Sequence, residues 1–149
     1  MSIWWSLHLR REVASVPLAR RLLLGTMETA GVDPDISFDL SVALSEACAN
    51  AVEHGGIRSG DVLDETEAYD VTAYLDGDRC RIEVTDSGPG FPASTVARRR
   101  PSLAEHGRGL HLIAELADHV CLGNRPGRGA VVSFDKMLKW RDDALLKAS

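Results

Sequence analysis

Residues 45–55 read SEACANAVEHG. The stretch continues a helical period: Ile36, Leu40, Ala43, Leu44, Ala47 and Ala51 share one arc at about 100° per residue. That arc can face a core. Glu46, Asn50 and His54 follow at i, i+4 and i+8, which lines them up along the helix, and Glu53 lies on the same side. The line borders the apolar arc instead of opposing it, so it falls where a helix edge meets a cleft. Two readings fit the spacing equally well. One is a solvated edge, with His54 near the helix C-terminus, where a cation favours the dipole. The other is chemical: Glu46 as a base or water-orienting group, and Asn50 as a neutral oxygen donor to a hard cation. Mg²⁺ takes few protein ligands and leaves most positions to water and phosphate. A single Asn therefore suffices where a polyphosphate brings the metal.

The elements on either side follow from period and punctuation. Asp33-Pro34 is a helix start signal, and Gly55-Gly56 stops this helix after about Glu53. An earlier helix is expected over about 15–30, with Pro17 in its first turn and Gly31 ending it. Before it, Ile3, Trp5, Leu7 and Leu9 alternate with polar or exposed positions, the pattern of a strand with one buried face. Residues 56–69 are polar and acidic and read as a loop. Val71, Ala73 and Leu75 alternate, Asp76-Gly77 signals a hairpin, and Cys80, Ile82 and Val84 return. DSGPGFP (86–92) is rigid punctuation. Residues 92–106, with Arg98, Arg99 and Arg100, lack a strong period, and a connection this long is usually functional or mobile. After HGRG (106–109) a short helix runs through Leu110, Ile113 and Ala117. Strands at 119–122 and 130–134 flank GNRPGRG (123–129), and the tail from Lys136 has an amphipathic, helical look. The order is β, two helices, two strands, a helix, two strands. This predicts an α/β two-layer sandwich, a largely antiparallel mixed sheet with helices packed on one face, as one domain over residues 1–149.

Composition sets the bounds. The 149 residues are 44% hydrophobic and 26% charged, ordinary for a globular domain with a real core. A net charge of −5 argues against phosphate-backbone binding as the main activity. Cys48, Cys80 and Cys121 have no metal-site or disulfide-framework spacing and read as small core residues of a reduced protein. The start lacks the pattern of a signal peptide, and no apolar run nears the roughly 20 residues of a membrane span. A cytoplasmic location is the expectation.

Two glycine-rich segments bear on chemistry. Asp86-Ser87-Gly88-Pro89-Gly90 follows a strand directly. Its glycines permit close backbone approach to a ligand, and an Asp at a strand end can accept from an exocyclic amine. His106-Gly107-Arg108-Gly109 precedes a helix, whose first amides can meet phosphate, with Arg108 adding charge. Each alone reads more readily as a tight turn. Neither fits the phosphate loop GxxxxGK[ST] or the dinucleotide fingerprint GxGxxG.

In order, "E-x-x-x-N-A-x-x-H-G", "D-S-G-P-G" and "G-R-G-L" resemble the N box and the first and second glycine boxes of the Bergerat-fold (GHKL) ATPases. The resemblance covers nearly the whole chain and is strongest to the short anti-sigma-factor serine/threonine protein kinases of bacteria, through LSEACANAVEHG, LDGDRCRIEVTDSGPGF, HGRGLHLIAELAD and RPGRGAVVSF. It implies ATP and Mg²⁺ as cofactors. Glu46 would be the general base, Asn50 the Mg²⁺ ligand and Asp86 the reader of the adenine amino group. Gly88 and Gly90 would let the backbone pass the nucleotide. Gly107, Arg108 and Gly109 would flank the phosphates, at the end of a lid over about 91–106. His54 belongs to the N box and is not a phosphoacceptor. One departure stands out. Relatives often carry Thr where this chain has Ala130, which leaves the adenine-side hydroxyl to be supplied by Ser87 or Ser133, if at all. The implied function is an ATP-dependent serine/threonine protein kinase and anti-sigma factor. Its substrate would be a STAS-domain anti-anti-sigma factor, its other partner a sigma factor, and its state a homodimer. The alternatives are a non-catalytic partner-switch module and a detached histidine-kinase catalytic domain.

Overall fold

The computed structural model describes residues 2–54, 68–88, 90–91, 108–125 and 129–142. β1 (Ser2–Arg10) turns Ile3, Trp5, Leu7 and Leu9 inward and Trp4, Ser6, His8 and Arg10 outward, as period two demands. α1 (Val16–Ala30) has Pro17 in its first turn and buries Ala19, Leu23, Met27 and Ala30. It ends on Gly31 at φ 87, where the Gly31 and Val32 amides reach back to Met27 O at 3.0 Å, satisfying carbonyls the helix leaves open. Asp33 then caps α2 (Pro34–His54): its Oδ1 accepts the Asp35 amide at 2.8 Å.

β2 (Ala68–Asp76) and β3 (Arg79–Asp86) form a hairpin around Gly77, at φ 60. α3 (Arg108–Leu116), β4 (His119–Arg125) and β5 (Gly129–Met137) complete the described elements. The sheet order is β1-β2-β3-β5-β4. Every pairing between these strands is antiparallel, in line with the expected two-layer sandwich with a largely antiparallel sheet. β2 turns directly into β3, and β4 into β5, and such short returns enforce antiparallel register.

The helices lie on one sheet face. α2 is central: Leu40, Ala43, Leu44, Ala47, Cys48 and Ala51 are buried, and it packs against α1, α3, β2 and β3. Opposite them, Val71, Ala73, Ile82, Val84, Val132 and Phe134 are buried from the sheet. A buried pair, Ser15 Oγ and Tyr69 Oη at 2.6 Å, joins the start of α1 to β2. Lys136 reaches across the helix layer, donating from Nζ to Leu116 O at 2.6 Å, and its Nζ lies 3.9 Å from Asp39 Oδ2.

The tail departs from the sequence reading. Lys136 and Met137 finish β5 instead of starting a helix. Leu138 is buried and Trp140 bridges to Val32, so the period of two carries on past the strand. This end latches onto the α1–α2 corner. Asp33 N donates to Lys139 O at 2.8 Å and Arg141 N to Gly31 O at 2.8 Å, while Arg141 Nη2 donates to Glu28 O at 3.0 Å. Residues 143–149 lie outside the described residues, and among those described no helix is long and apolar enough to cross a membrane.

Two cysteines are core residues as expected, and the third is not. Cys48 and Cys80 are buried, and burial pushes each thiol up to about 12. Cys121 is exposed, because its place in β4 points it to the face away from the helices. With an aromatic disulfide reagent, Cys121 should react in the native protein. Cys48 and Cys80 should react on the order of 100-fold more slowly until denaturant is added. The raised thiols also set a sign for pH. Above about pH 9 the unfolded chain releases thiol protons that the folded chain keeps. The stability present below that pH should therefore fall as pH rises toward 12, measurable by denaturant titration.

Candidate active site

Glu46 and Asn50 sit one turn apart on α2, both half-buried at the rim of its buried arc. The first turn of α3 lies against Glu46. A Cβ on Gly109 would stand 3.3 Å from Glu46 Oε2 and 3.8 Å from Glu46 O. A glycine there lets the helix start come down onto the carboxylate, at the end where a helix presents unpaired amides. Arg11 ties down the far end of the same helix, donating from Nη1 to Val52 O at 2.8 Å. Glu53 is exposed. The His54 and Arg108 side chains, Gly107 and the expected lid with Arg98, Arg99 and Arg100 lie outside the described residues.

The second part of the site begins where β3 ends. Asp86 shares the parity of Ile82 and Val84, which turns it to the helix side, and it is buried. Its Oδ1 accepts two amides, Gly88 N at 2.8 Å and Ala130 N at 3.1 Å. The first makes an Asx turn; the second joins β3 to the start of β5. Gly129 makes that junction possible. It has φ +131, and a Cβ there would lie 2.6 Å from Gly88 O, 2.7 Å from Asp86 Oδ1 and 2.8 Å from Gly88 N. Gly90, at φ +84, continues the loop to Phe91, which is buried.

Sequence reading placed Asp86, Gly88 and Gly90 on one loop, and the structure keeps them together. It singled out Ala130 for its missing hydroxyl but missed the Ala130 amide, Gly129 and Asn124 as partners of the Asp86 loop. Nothing local in GNRPGRG says that its two ends fold onto a loop some forty residues earlier. The hydroxyl question also resolves in part. Ser133 stands on the sheet face away from the helices and accepts from Arg81 Nε at 3.3 Å, so its hydroxyl does not face the Asp86 loop. Ser87 is exposed in the turn. What Ala130 brings to Asp86 is its backbone amide.

The arrangement offers a carboxylate and a carboxamide on one helix edge, a helix start beside them, and a buried acceptor framed by side-chain-free backbone. Such a set can hold a charged, planar ligand and move a proton. Comparison with known proteins agrees. Residues 9–136 match the model of the histidine kinase-like ATPase domain. The serine-protein kinase RsbW of Bacillus subtilis is 34% identical over 123 residues, covering 75% of this chain and 72% of that protein. Among solved structures, the RsbU and RsbW domains of Rv1364c from Mycobacterium tuberculosis superpose with a TM-score of 0.63 at 23% identity, over 90% of this chain and 32% of that longer one. The catalytic domain of the histidine kinase ThkA gives 0.56 at 15% identity, over 89% of this chain and 95% of its own. These two structures attest the fold.

The two glycines should respond differently to alanine. Gly129→Ala sets a methyl against backbone in a left-handed conformation and should cost about 1–3 kcal/mol or more. Gly109→Ala, in the first turn of α3, meets only the movable end of Glu46, at 3.3 Å. It should lower the melting temperature much less than Gly129→Ala does. Calorimetric unfolding checks both, and equal stability of the two variants would contradict the junction described for Gly129.

Proposed function

The chain belongs to the histidine kinase-like ATPase family, on the branch of the anti-sigma-factor serine-protein kinases, and from that premise we propose that it phosphorylates a protein serine or threonine with ATP. The observation that carries this reading is Glu46, held half-buried against the first turn of α3 through Gly109. Glu46 accepts the proton of the attacking hydroxyl. As it does so, that oxygen bonds to the γ-phosphorus, the bond to the β–γ bridging oxygen breaks, and ADP leaves. Phosphoryl transfer asks little more of the protein than positioning and charge stabilisation.

Asn50 suits the metal role. Its carboxamide oxygen is a hard, neutral donor one turn from Glu46, and Mg²⁺ accepts few protein ligands when phosphates are present. Bound Mg²⁺ supplies charge neutralisation on the phosphates. The Asp86 carboxylate accepts from the adenine amine, while the turn through Gly88 and Gly90 keeps side chains out of the ring's path. Gly109, in the first turn of α3, borders the phosphates, and the resemblance gives Gly107 and the Arg108 side chain, outside the described residues, the same role.

The protein substrate is a STAS-domain anti-anti-sigma factor, and the competing partner is a sigma factor, in the cytoplasm. Binding the sigma factor blocks it, and phosphorylating the antagonist keeps that antagonist from releasing the kinase. The chain acts as a homodimer. A second reading has one observation in its favour. With Ala130 in place of Thr, the adenine side lacks a hydroxyl, as it would in a partner-switch module that no longer uses nucleotide. Titration calorimetry with Mg²⁺ and ATP separates the two: binding that is lost in Asp86→Ala removes the nucleotide-free reading.

For the kinase itself, Glu46→Ala should lower transfer from labelled ATP to a STAS partner by about 10²–10⁴-fold, the usual contribution of a general base. Nucleotide affinity should stay within about twofold. Transfer at the wild-type rate by this variant would remove Glu46 from the mechanism.

A further inference from the structure

The loop that leaves Asp86 does not hang free of the sheet. It crosses the ends of three strands in their spatial order, β3, β5 and β4. On β3 it starts at Asp86; over β5, Gly88 rests on Gly129. Over β4 it meets Asn124. The Asn124 carboxamide grips the Phe91 peptide from both sides: Phe91 N donates to Oδ1 at 2.8 Å, and Nδ2 donates to Phe91 O at 2.9 Å. The amide has one orientation here, since a flipped group would set donor against donor. Gly90 shows how close the grip is. A Cβ there would fall 2.6 Å from Asn124 Oδ1 and 3.0 Å from its Cγ. A free side chain would swing away, but this one moves only by giving up two hydrogen bonds.

We propose that Asn124 is a positioning residue of the nucleotide site: its carboxamide fixes the Gly90–Phe91 backbone, so that the loop bearing Asp86 is held at both ends before ligand arrives. The proposal rests on the nucleotide reading of Asp86. A loop pinned at one end alone pays an ordering cost on binding, and a loop pinned at both has met it already. Asn124 never touches the ligand; it acts through the Phe91 peptide.

The experiment is calorimetric titration of the full chain with Mg²⁺ and ADP, a ligand that does not turn over, for wild type, Asn124→Ala and Asn124→Asp between about pH 8 and pH 4.5. An ionised Asp accepts from Phe91 N but cannot donate to Phe91 O, whereas a protonated Asp does both, like the amide. The pH range ends just above the ordinary titration of an Asp near 4, and donation to the facing Phe91 carbonyl raises that titration into it. Asp86, Glu83 and Arg125 lie at or near this end of the sheet, while Arg81, His119 and Asp135 lie towards its other end, so affinities are read as ratios to wild type at each pH. Asn124→Ala should bind about 10-fold more weakly at every pH, as expected for two lost hydrogen bonds. Asn124→Asp should be equally weak at pH 8 and recover toward wild type on acidification. That recovery is its own folding control. Both variants within twofold of wild type throughout would overturn the proposal. So would weak binding in both with no recovery in Asn124→Asp, which would assign Asn124 to general packing. A wild-type chain that binds no ADP would instead overturn the nucleotide reading, and the proposal with it.

Discussion

One carboxylate oxygen holds the working end of this sheet together. Asp86 Oδ1 takes the amide of its own turn and that of Ala130, 44 residues later in β5. Both donors are backbone groups, so only the Asp86 rotamer has to be ordered to make the contact. A buried carboxylate deprived of them would be costly. The neighbouring geometry follows from this pairing. β5 must come within contact of the turn, so residue 129 carries no side chain. The loop then crosses the strand ends close to them, so residue 90 carries none either. The glycines of this site thus serve the protein's own closure, whatever the loop goes on to bind.

Much of the architecture was legible because its signals are local. The α2 arc, the Gly31 stop, the Asp33 cap and the alternation of β1 each lie within a few residues of the structure they specify. The candidate site was legible to the extent that it is contiguous: Glu46 with Asn50 along one helix, Asp86 with Gly88 and Gly90 along one loop. What escaped is non-local. Asn124 and Phe91 stand 33 residues apart, and nothing in GNRPGRG distinguishes an amide that clamps a loop from one in an ordinary turn. Cys121 was misread for a related reason. Its neighbours are apolar, but strand parity decides its face, and the parity shows only once β4 is in register with β5. The tail was misread because Leu138 and Trp140 suit an amphipathic helix as well as an extended chain. The bridge to Val32 selects the extended form.

The two faces of the sheet carry different chemistry. Towards the helices it is apolar. Away from them Glu83 is buried, accepting at Oε1 from Arg81 Nη2 and at Oε2 from Arg125 Nη2, the latter at 3.0 Å. His8 lies 2.7 Å from Asp70 and His119 2.9 Å from Asp135. Exposed pairs of that kind contribute little to stability. Glu83 is a different case, since a nearly buried carboxylate needs its partners. Its two arginines come from β3 and β4, so it spans the intervening β5 and stiffens from behind the strand ends that the loop crosses in front.

The latch of residues 139–141 onto the α1–α2 corner has a consequence for how the molecule is made. Arg141 and Glu28, 113 residues apart, meet at the point where the first two helices join. The innermost strand, β3, has as one neighbour β5, the last strand of the described chain. Pairings of such high sequence separation must meet the entropy of closing long loops before they gain anything. The two helices can pack on each other early during synthesis. The sheet beneath them stays incomplete until β5 has left the ribosome, and the ligand-facing loop, which leans on β5, is among the last parts to form. The order of the chain therefore ties completion of the site to completion of the fold.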